Sequence, residues 1–343
     1  MRGAKVVRTD SELECPEIDR VLREQGCELV LLPDGVNEDD LSRQVRDADL
    51  LLMCYTPITA KVINGAERLK AIVKYGVGID AIDIKTAKAR GIPVVNVPEY
   101  AEETVAEGAF ALMIALARRL VPIHMAMQRE GWVWPVSQWR SSDIAGKTVG
   151  LVGTGRIGRS MARMAGAGFR ARVLGYDPYV DAATMQAHGI EKCDDLHDLL
   201  GRSDFVSLHM ALNDETRRII GTGELAAMKR SAFLINVSRG ALVDELALLA
   251  ALKAGRIAGA GLDVFSQEPL DRTTHPLRDL YEMNNVILSP HLTFFTDEAM
   301  LRLERDTLDR CFEALEGRPV LVKSGDPRLT SQLSGVRFPG NTE

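Results

Sequence analysis

Residues 147–164 read KTVGLVGTGRIGRSMARM. The run TVGLV is short, apolar and β-branched, the make-up of a strand buried on both faces. Gly153-Thr154-Gly155-Arg156-Ile157-Gly158 follows it directly, and a helical pattern opens near Arg156. A strand, a GxGxxG turn and a helix in this order form a dinucleotide cradle. Gly153 permits the tight turn, Gly155 lets the backbone approach a pyrophosphate, and Gly158 allows close packing of helix on strand. The helix N-terminus adds unbonded N–H groups and the positive end of a dipole. Nineteen residues beyond Gly158 the next β-rich run ends in Asp177. A carboxylate there accepts hydrogen bonds from adenosine ribose hydroxyls and repels a 2′-phosphate, so NAD is expected rather than NADP.

Outward from the fingerprint, β-rich runs recur at 171–177, 203–209, 231–238, 259–265 and 284–290, with helical stretches between most of them. Upstream, 4–10, 27–32, 48–54, 71–75 and 92–97 repeat the pattern. Alternation of short buried strands with helices predicts an α/β fold with two doubly wound parallel sheets. Glu102 to Val121 reads as one long helix, apolar on nearly every side, which must be covered all round by its own domain or by a second subunit. A last helix spans roughly Asp297 to Glu316, and the Ser-, Gly- and Pro-rich tail after it reads as an extended arm or frayed end.

The chain of 343 residues has room for about two domains. Its 46% hydrophobic and 26% charged residues are ordinary for a globular protein and exclude a disordered or collagen-like chain. A formal net charge of −6 argues against a nucleic-acid partner. The five scattered cysteines form no CxxC pair, which predicts neither a thiol metal site nor a disulfide framework and fits a reducing, cytoplasmic setting. The first residues lack the apolar core of a signal peptide. The longest apolar run, Gly108 to Ala117, is too short for the roughly 20 residues of a membrane span, so no membrane partner is expected.

Open α/β sheets bind ligands beyond the carboxyl ends of their strands. Three consecutive strands end there in chemistry-bearing residues: FLINVS in Arg239, GLDVF before Glu268, and NVILSP in His291. Each has a plain reading: a surface ion pair, a turn residue before Pro269, a strand-end histidine. Together, downstream of a dinucleotide turn, they form the set that hydride transfer between a nicotinamide and an alcohol or carbonyl requires. An imidazole exchanges the hydroxyl proton, a neighbouring carboxylate orients the ring and favours its charged form, and a guanidinium holds a substrate carboxylate and polarises the adjacent carbonyl.

The motifs VGIDAIDI (77–84), GKTVGLVGTGRIG (146–158), SLHMALNDET (207–216), NVSRGALVDE (236–245), GLDVFSQEP (261–269) and SPHLTFFTDEA (289–299) resemble the D-isomer-specific 2-hydroxyacid dehydrogenases, in order and over about 1–325. The resemblance implies interconversion of a small 2-oxo acid and its D-2-hydroxy acid with NAD, with Arg239, Glu268 and His291 as the catalytic set. It implies that Val77 and Gly78 offer backbone N–H groups to the substrate carboxylate. Tyr55 is a further candidate substrate contact, at the end of ADLLLMC. Thr104, Gly153, Gly155, Arg156, Ile157, Gly158, Asp177, His209, Met210, Val237, Ser238, Arg239, Asp263 and His291 would line the cofactor site. The resemblance further implies two Rossmann-like domains closing on a deep interdomain cleft. A discontinuous substrate domain of 1–99 plus 295–328 would flank a cofactor domain of 100–294, with 329–343 as a tail. It also implies a homodimer formed through the 102–121 helix and the cofactor domain.

The sequence departs from the family pattern in places. Ala211 stands where a proline is usual. Leu292-Thr293-Phe294-Phe295 follows His291 where small residues are common; the two aromatics either make the pocket more apolar or pack beneath the last helix. Trp132, Trp134 and Trp139 either lean on a second subunit or staple their own loop. A phosphoglycerate dehydrogenase with an added regulatory domain is not expected in 343 residues, although its short form stays open. Glu268 argues against a formate dehydrogenase, whose histidine has an amide partner. The rival of another class is an NAD(H)-sensing corepressor of the same fold. The particular 2-oxo acid is not legible.

Overall fold

In the computed structural model, which describes residues 2–340, every β-rich run named above contains a strand. Most strands are shorter than their runs, because polar residues and glycines end the pairing. In the first unit these are β1 (Lys5–Arg8), β2 (Glu28–Leu31), β3 (Leu50–Met53), β4 (Ala71–Lys74) and β5 (Val94–Asn96). They form one parallel sheet in the order β2-β1-β3-β4-β5. All four residues of β1, β3 and β4 are buried, as parallel strands covered by helices on both faces require. The order reverses between β1 and β3, which makes the carboxyl ends of those two strands the switch point of this sheet.

The second unit, Glu102–Phe295, holds β6 (Thr148–Val152), β7 (Arg172–Tyr176), β8 (Glu191–Lys192), β9 (Phe205–Leu208), β10 (Phe233–Asn236), β11 (Gly259–Leu262) and β12 (Val286–Leu288). Its sheet is parallel throughout, in the order β12-β11-β10-β9-β6-β7-β8. Here the winding reverses between β6 and β9. A core of Val152, Leu174, Val206, Leu208, Leu234, Leu262 and the helices packed on them supports the carboxyl edge from below.

Two expectations need correction. The long helix predicted to Val121 stops earlier: Glu102–Ala117 and Leu120–Glu130 are separate helices meeting at 57°. Arg119 takes a left-handed φ of 51°, which an L-residue does not sustain inside a helix. Among the described residues no single helix is long and apolar enough to cross a membrane.

The described part of the tail is not a frayed arm either. It belongs to the first unit, which runs to Ala101 and resumes at Thr296. Leu329 is fully buried. β13 (Val320–Leu321) pairs with β14 (Val336–Arg337). The Gln332 side chain accepts from the Val94 N–H at 2.7 Å and donates to the Val94 carbonyl at 2.8 Å. One amide thus does for edge strand β5 what a further strand would, which protects an exposed sheet edge. Residues 341–343 lie outside the described chain. Gln332→Ala is expected to destabilise this unit by about 1–3 kcal/mol, because two buried backbone groups lose their partners. An unchanged urea midpoint would contradict that.

Candidate active site

The fingerprint turn lies at the switch point of the second sheet. Gly153 has φ +94°, and a Cβ there would lie 2.7 Å from the His209 carbonyl, so the turn after β6 touches the chain leaving β9. A Cβ on Gly158 would lie 2.4 Å from the Gly153 carbonyl oxygen, which makes it the packing glycine. Gly155 has nothing within 4 Å of its Cβ position and caps the helix Arg156–Arg163 without a side-chain hydrogen bond. That helix start is open backbone suited to an anion. Ile157 sits in its first turn, and Arg156 pairs with Glu102 at 2.8 Å. Thr104, two residues along from Glu102, is buried.

Beside the turn, the Asp177 carboxylate accepts from the Thr154 N–H at 3.0 Å through one oxygen and from the Tyr179 N–H at 3.0 Å through the other. His209 follows β9 with both ring nitrogens buried and unpartnered among the described residues. Burial pushes its imidazole down to about 4, so the ring is neutral near pH 7. An open helix start, a glycine seat, a fixed carboxylate and an orphaned imidazole fit a dinucleotide. The loop with Ala211 keeps its shape by other means: Thr216 Oγ1 donates to the Ala211 carbonyl, and Asn213 Oδ1 accepts from Glu215 and Thr216.

In this unit Glu268 meets His291, and the turn that carries Arg239 packs on the chain leading to Glu268. Asn236 ends β10 fully buried; its Oδ1 accepts from the Ser238 N–H and its Nδ2 donates to the Arg239 carbonyl. Ser238 donates to the Leu208 carbonyl, which holds the turn against β9; Val237 is buried and Met210 half-buried nearby. A Cβ on Gly240 would lie 2.0 Å from the Phe265 carbonyl carbon, so the Arg239 turn rests directly on the chain that leads to Glu268. Glu268 accepts from the Phe265 N–H at 2.8 Å with one oxygen and meets His291 Nδ1 at 2.9 Å with the other. His291 has a left-handed φ of 59°.

Asp263, fully buried, holds that conformation. Its backbone carbonyl accepts from the His291 N–H at 2.7 Å, and its carboxylate accepts from the Leu292 and Thr293 N–H groups and the Thr293 hydroxyl. Phe294 is buried with its ring edge-on to the imidazole at 6.2 Å, whereas Phe295 is half exposed. The sequence reading missed the positioning roles of Asn236 and Thr293; both lie inside motifs that it quoted.

In the first unit, Tyr55, Val77 and Gly78 lie just past β3 and β4. Tyr55 and Val77 are 37% and 40% exposed. Asn96 Nδ2 donates to the Val77 carbonyl at 2.6 Å. Among the described residues, the Val77 and Gly78 N–H groups donate to nothing else in the chain. Trp132 and Trp134 do not staple their loop: they are 63% and 72% exposed and meet edge to face.

Comparison with known proteins follows the same lines. The family described as "D-isomer specific 2-hydroxyacid dehydrogenase, NAD binding domain" matches residues 110–293. A glyoxylate reductase of Korarchaeum cryptofilum is 40% identical over 95% of this chain and 97% of its own. A D-3-phosphoglycerate dehydrogenase of Methanocaldococcus jannaschii is 39% identical over 82% of this chain, which spans about half (52%) of that relative's length. The structure of a D-lactate dehydrogenase from Aquifex aeolicus, complexed with NAD and lactic acid, superposes with a TM-score of 0.81 at 29% identity, covering 91% of this chain and 96% of that one.

The neutral His209 predicts a pH dependence. Its folded-state pKa lies below the unfolded value near 6.5, so the unfolded chain takes up the proton first as pH falls. The stability it contributes is present above about 6.5 and is lost toward about 4, by about 1–3 kcal/mol. His209→Gln should flatten unfolding free energy against pH across that window; identical slopes would remove His209 as the cause.

Proposed function

The chain belongs to the D-isomer specific 2-hydroxyacid dehydrogenase family, and from that premise we propose that it reduces a small 2-oxo acid to its D-2-hydroxy acid, reversibly, with NAD as the preferred cofactor. The observation that carries the reading is the Glu268–His291 contact at 2.9 Å, built on a strand end beside the Arg239 turn. The Gly153–Gly158 turn would hold the pyrophosphate of the dinucleotide, whose nicotinamide would supply or accept the hydride.

The residues then have separate tasks. Glu268 takes the Nδ1 proton of His291 as a hydrogen bond, which sets the tautomer and leaves Nε2 as the nitrogen that exchanges a proton with the substrate oxygen. In reduction the ring gives a proton to the substrate oxygen through Nε2 while Glu268 keeps its hydrogen bond to Nδ1. Arg239 holds the substrate carboxylate through its planar fork and polarises the carbonyl. In the first unit Val77 and Gly78 offer their N–H groups to a substrate carboxylate, and Tyr55 contacts the remainder of the substrate. Asp177 receives the adenosine ribose hydroxyls and disfavours a 2′-phosphate. The first unit is then the substrate domain and the second the cofactor domain.

We further propose a homodimer through the second unit. Leu120, Val121, Met125, Trp132, Trp134 and Val136 are exposed within one stretch of it, and large exposed apolar patches mark interaction sites. The cytoplasmic reading is supported by five cysteines that are all buried free thiols.

His291→Ala should lower kcat by about a hundredfold or more while the NADH Kd stays within a few-fold. Full activity would remove His291 as the acid. Arg239→Lys should fail as well, because an ammonium cannot reproduce the fork. Asp177→Ala should relax the preference for NADH over NADPH, and an unchanged ratio would mean that another residue selects the cofactor. Light scattering should give twice the 37.6 kDa chain mass; a monomer would contradict the dimer. Turnover of any 2-oxo acid would separate this enzyme from a non-catalytic NAD(H) sensor.

A further inference from the structure

The switch point of the first sheet, where an open α/β sheet would take a ligand, is filled by the chain's own side chain. Asp10 follows β1 with a left-handed φ of 59° and is 1% exposed. One carboxylate oxygen accepts from the Cys54 N–H at 2.7 Å, the Tyr55 N–H at 3.0 Å and the Thr9 hydroxyl at 2.6 Å. The other accepts from the Thr56 N–H at 3.0 Å and the Thr56 hydroxyl at 2.7 Å. The turn leaving β3 is thereby closed around an anion.

A buried cation stands on the opposite side of the same turn. Lys74, the last residue of β4, is 4% exposed, and among the described residues no carboxylate lies within ion-pair distance of it. Its Nζ donates to the Cys54 carbonyl, lies 3.1 Å from Cys54 Sγ and sits 5.4 Å from the centre of the Tyr55 ring. Its seat exists because residue 76 is glycine: φ is +146°, and a Cβ there would lie 2.9 Å from the ammonium. A buried charge without a counter-charge is costly, so the ammonium needs compensation from elsewhere.

The two observations meet in one peptide group. The Cys54 carbonyl points to Lys74 and the Tyr55 N–H, on the same peptide plane, points to Asp10. A peptide carries a dipole of about 3.5 D along this direction, so the group lies between cation and anion in its favourable sense. The ion pair is made through the peptide rather than across a gap, and each charge fixes the orientation that the other needs.

We propose that Asp10 and Lys74, coupled through the Cys54–Tyr55 peptide, are positioning residues that hold Tyr55 as a fixed wall for the part of the substrate beyond its 2-oxo acid unit. This rests on the function proposed above. The arrangement makes the pair a determinant of side-chain selectivity: the Val77–Gly78 loop reads the group common to all 2-oxo acids, and Tyr55 reads what differs among them. Neither Asp10 nor Lys74 touches the reacting atoms in this scheme.

The test has two arms. The first compares glyoxylate, which has no side chain, with pyruvate and phenylpyruvate in the wild type, Lys74→Met, Asp10→Asn and Tyr55→Ala. KM for the best-used of the acids with side chains should rise about tenfold in each variant, with kcat and the NADH Kd within twofold and KM for glyoxylate least affected. Tyr55 is part-exposed, so Tyr55→Ala tolerates truncation and stands in if Asp10→Asn fails to fold. Equal KM changes for all three acids, or a loss confined to kcat, would overturn the positioning role.

The second arm needs no substrate. Hydrogen exchange of the Tyr55 amide should speed up at least tenfold in Lys74→Met, although Lys74 does not touch that N–H, and Asp10→Asn with Lys74→Met should add little to either alone. Wild-type exchange at Tyr55 in Lys74→Met would overturn the coupling. A wild type that reduces none of the acids would defeat the functional reading and the substrate role together, and the exchange arm alone would then judge the peptide-bridged pair.

Discussion

The chemistry of the second unit hangs on the carboxylate of Asp263. This group is fully buried at the end of β11 and spends both oxygens on the chain leaving β12, at Leu292 and Thr293. His291, immediately before them, sits in a left-handed conformation that ordinarily costs about 1–3 kcal/mol for a residue with a side chain. The Asp263 bonds offset that cost, and with the backbone bond to His291 they aim the imidazole at Glu268. Without the clamp, the Leu292 and Thr293 N–H groups lose their acceptor and the ring loses its direction. Glu268 is held independently by the Phe265 N–H, so the dyad is fixed from both ends before any substrate arrives, as electrostatic catalysis requires.

The same device recurs at two other strand ends. Asp10 after β1, Asp177 after β7 and Asp263 after β11 each accept backbone N–H groups from a neighbouring segment. The reason lies in parallel sheets. Chain leaving a parallel strand points its N–H groups away from the ladder, and those that stay buried need acceptors. A short carboxylate at the strand end supplies two oxygens without needing space. It also places a fixed negative charge at the edge where ligands are met, next to the adenosine ribose in the case proposed for Asp177.

Most of the architecture was legible because parallel strands covered on both faces are continuous apolar runs, and every β-rich run of the sequence holds a strand. The glycine turn was legible because Gly153, Gly155 and Gly158 answer three different steric demands. Other features left no local signal. The break after Ala117 depends on the backbone of Arg119, which composition does not mark. The tail reads as polar linker, yet a single Gln332 ties it to β5 through contacts 238 residues apart in sequence. Asp263 stood in a quoted motif as a candidate cofactor contact, but the loop it clamps, like the Asp10–Lys74 arrangement, exists only once strands distant in sequence lie side by side.

The central claim is that Arg239, Glu268 and His291 serve direct hydride transfer to the carbonyl carbon of a 2-oxo acid. The measurement that tests it most directly uses NADH dideuterated at C4 with a panel of unlabelled 2-oxo acids, and mass spectrometry of the product. The account predicts a 2-hydroxy acid one mass unit heavier, with the deuterium at C2. Unlabelled product, or no product from any acid by a protein that binds NADH, would contradict it.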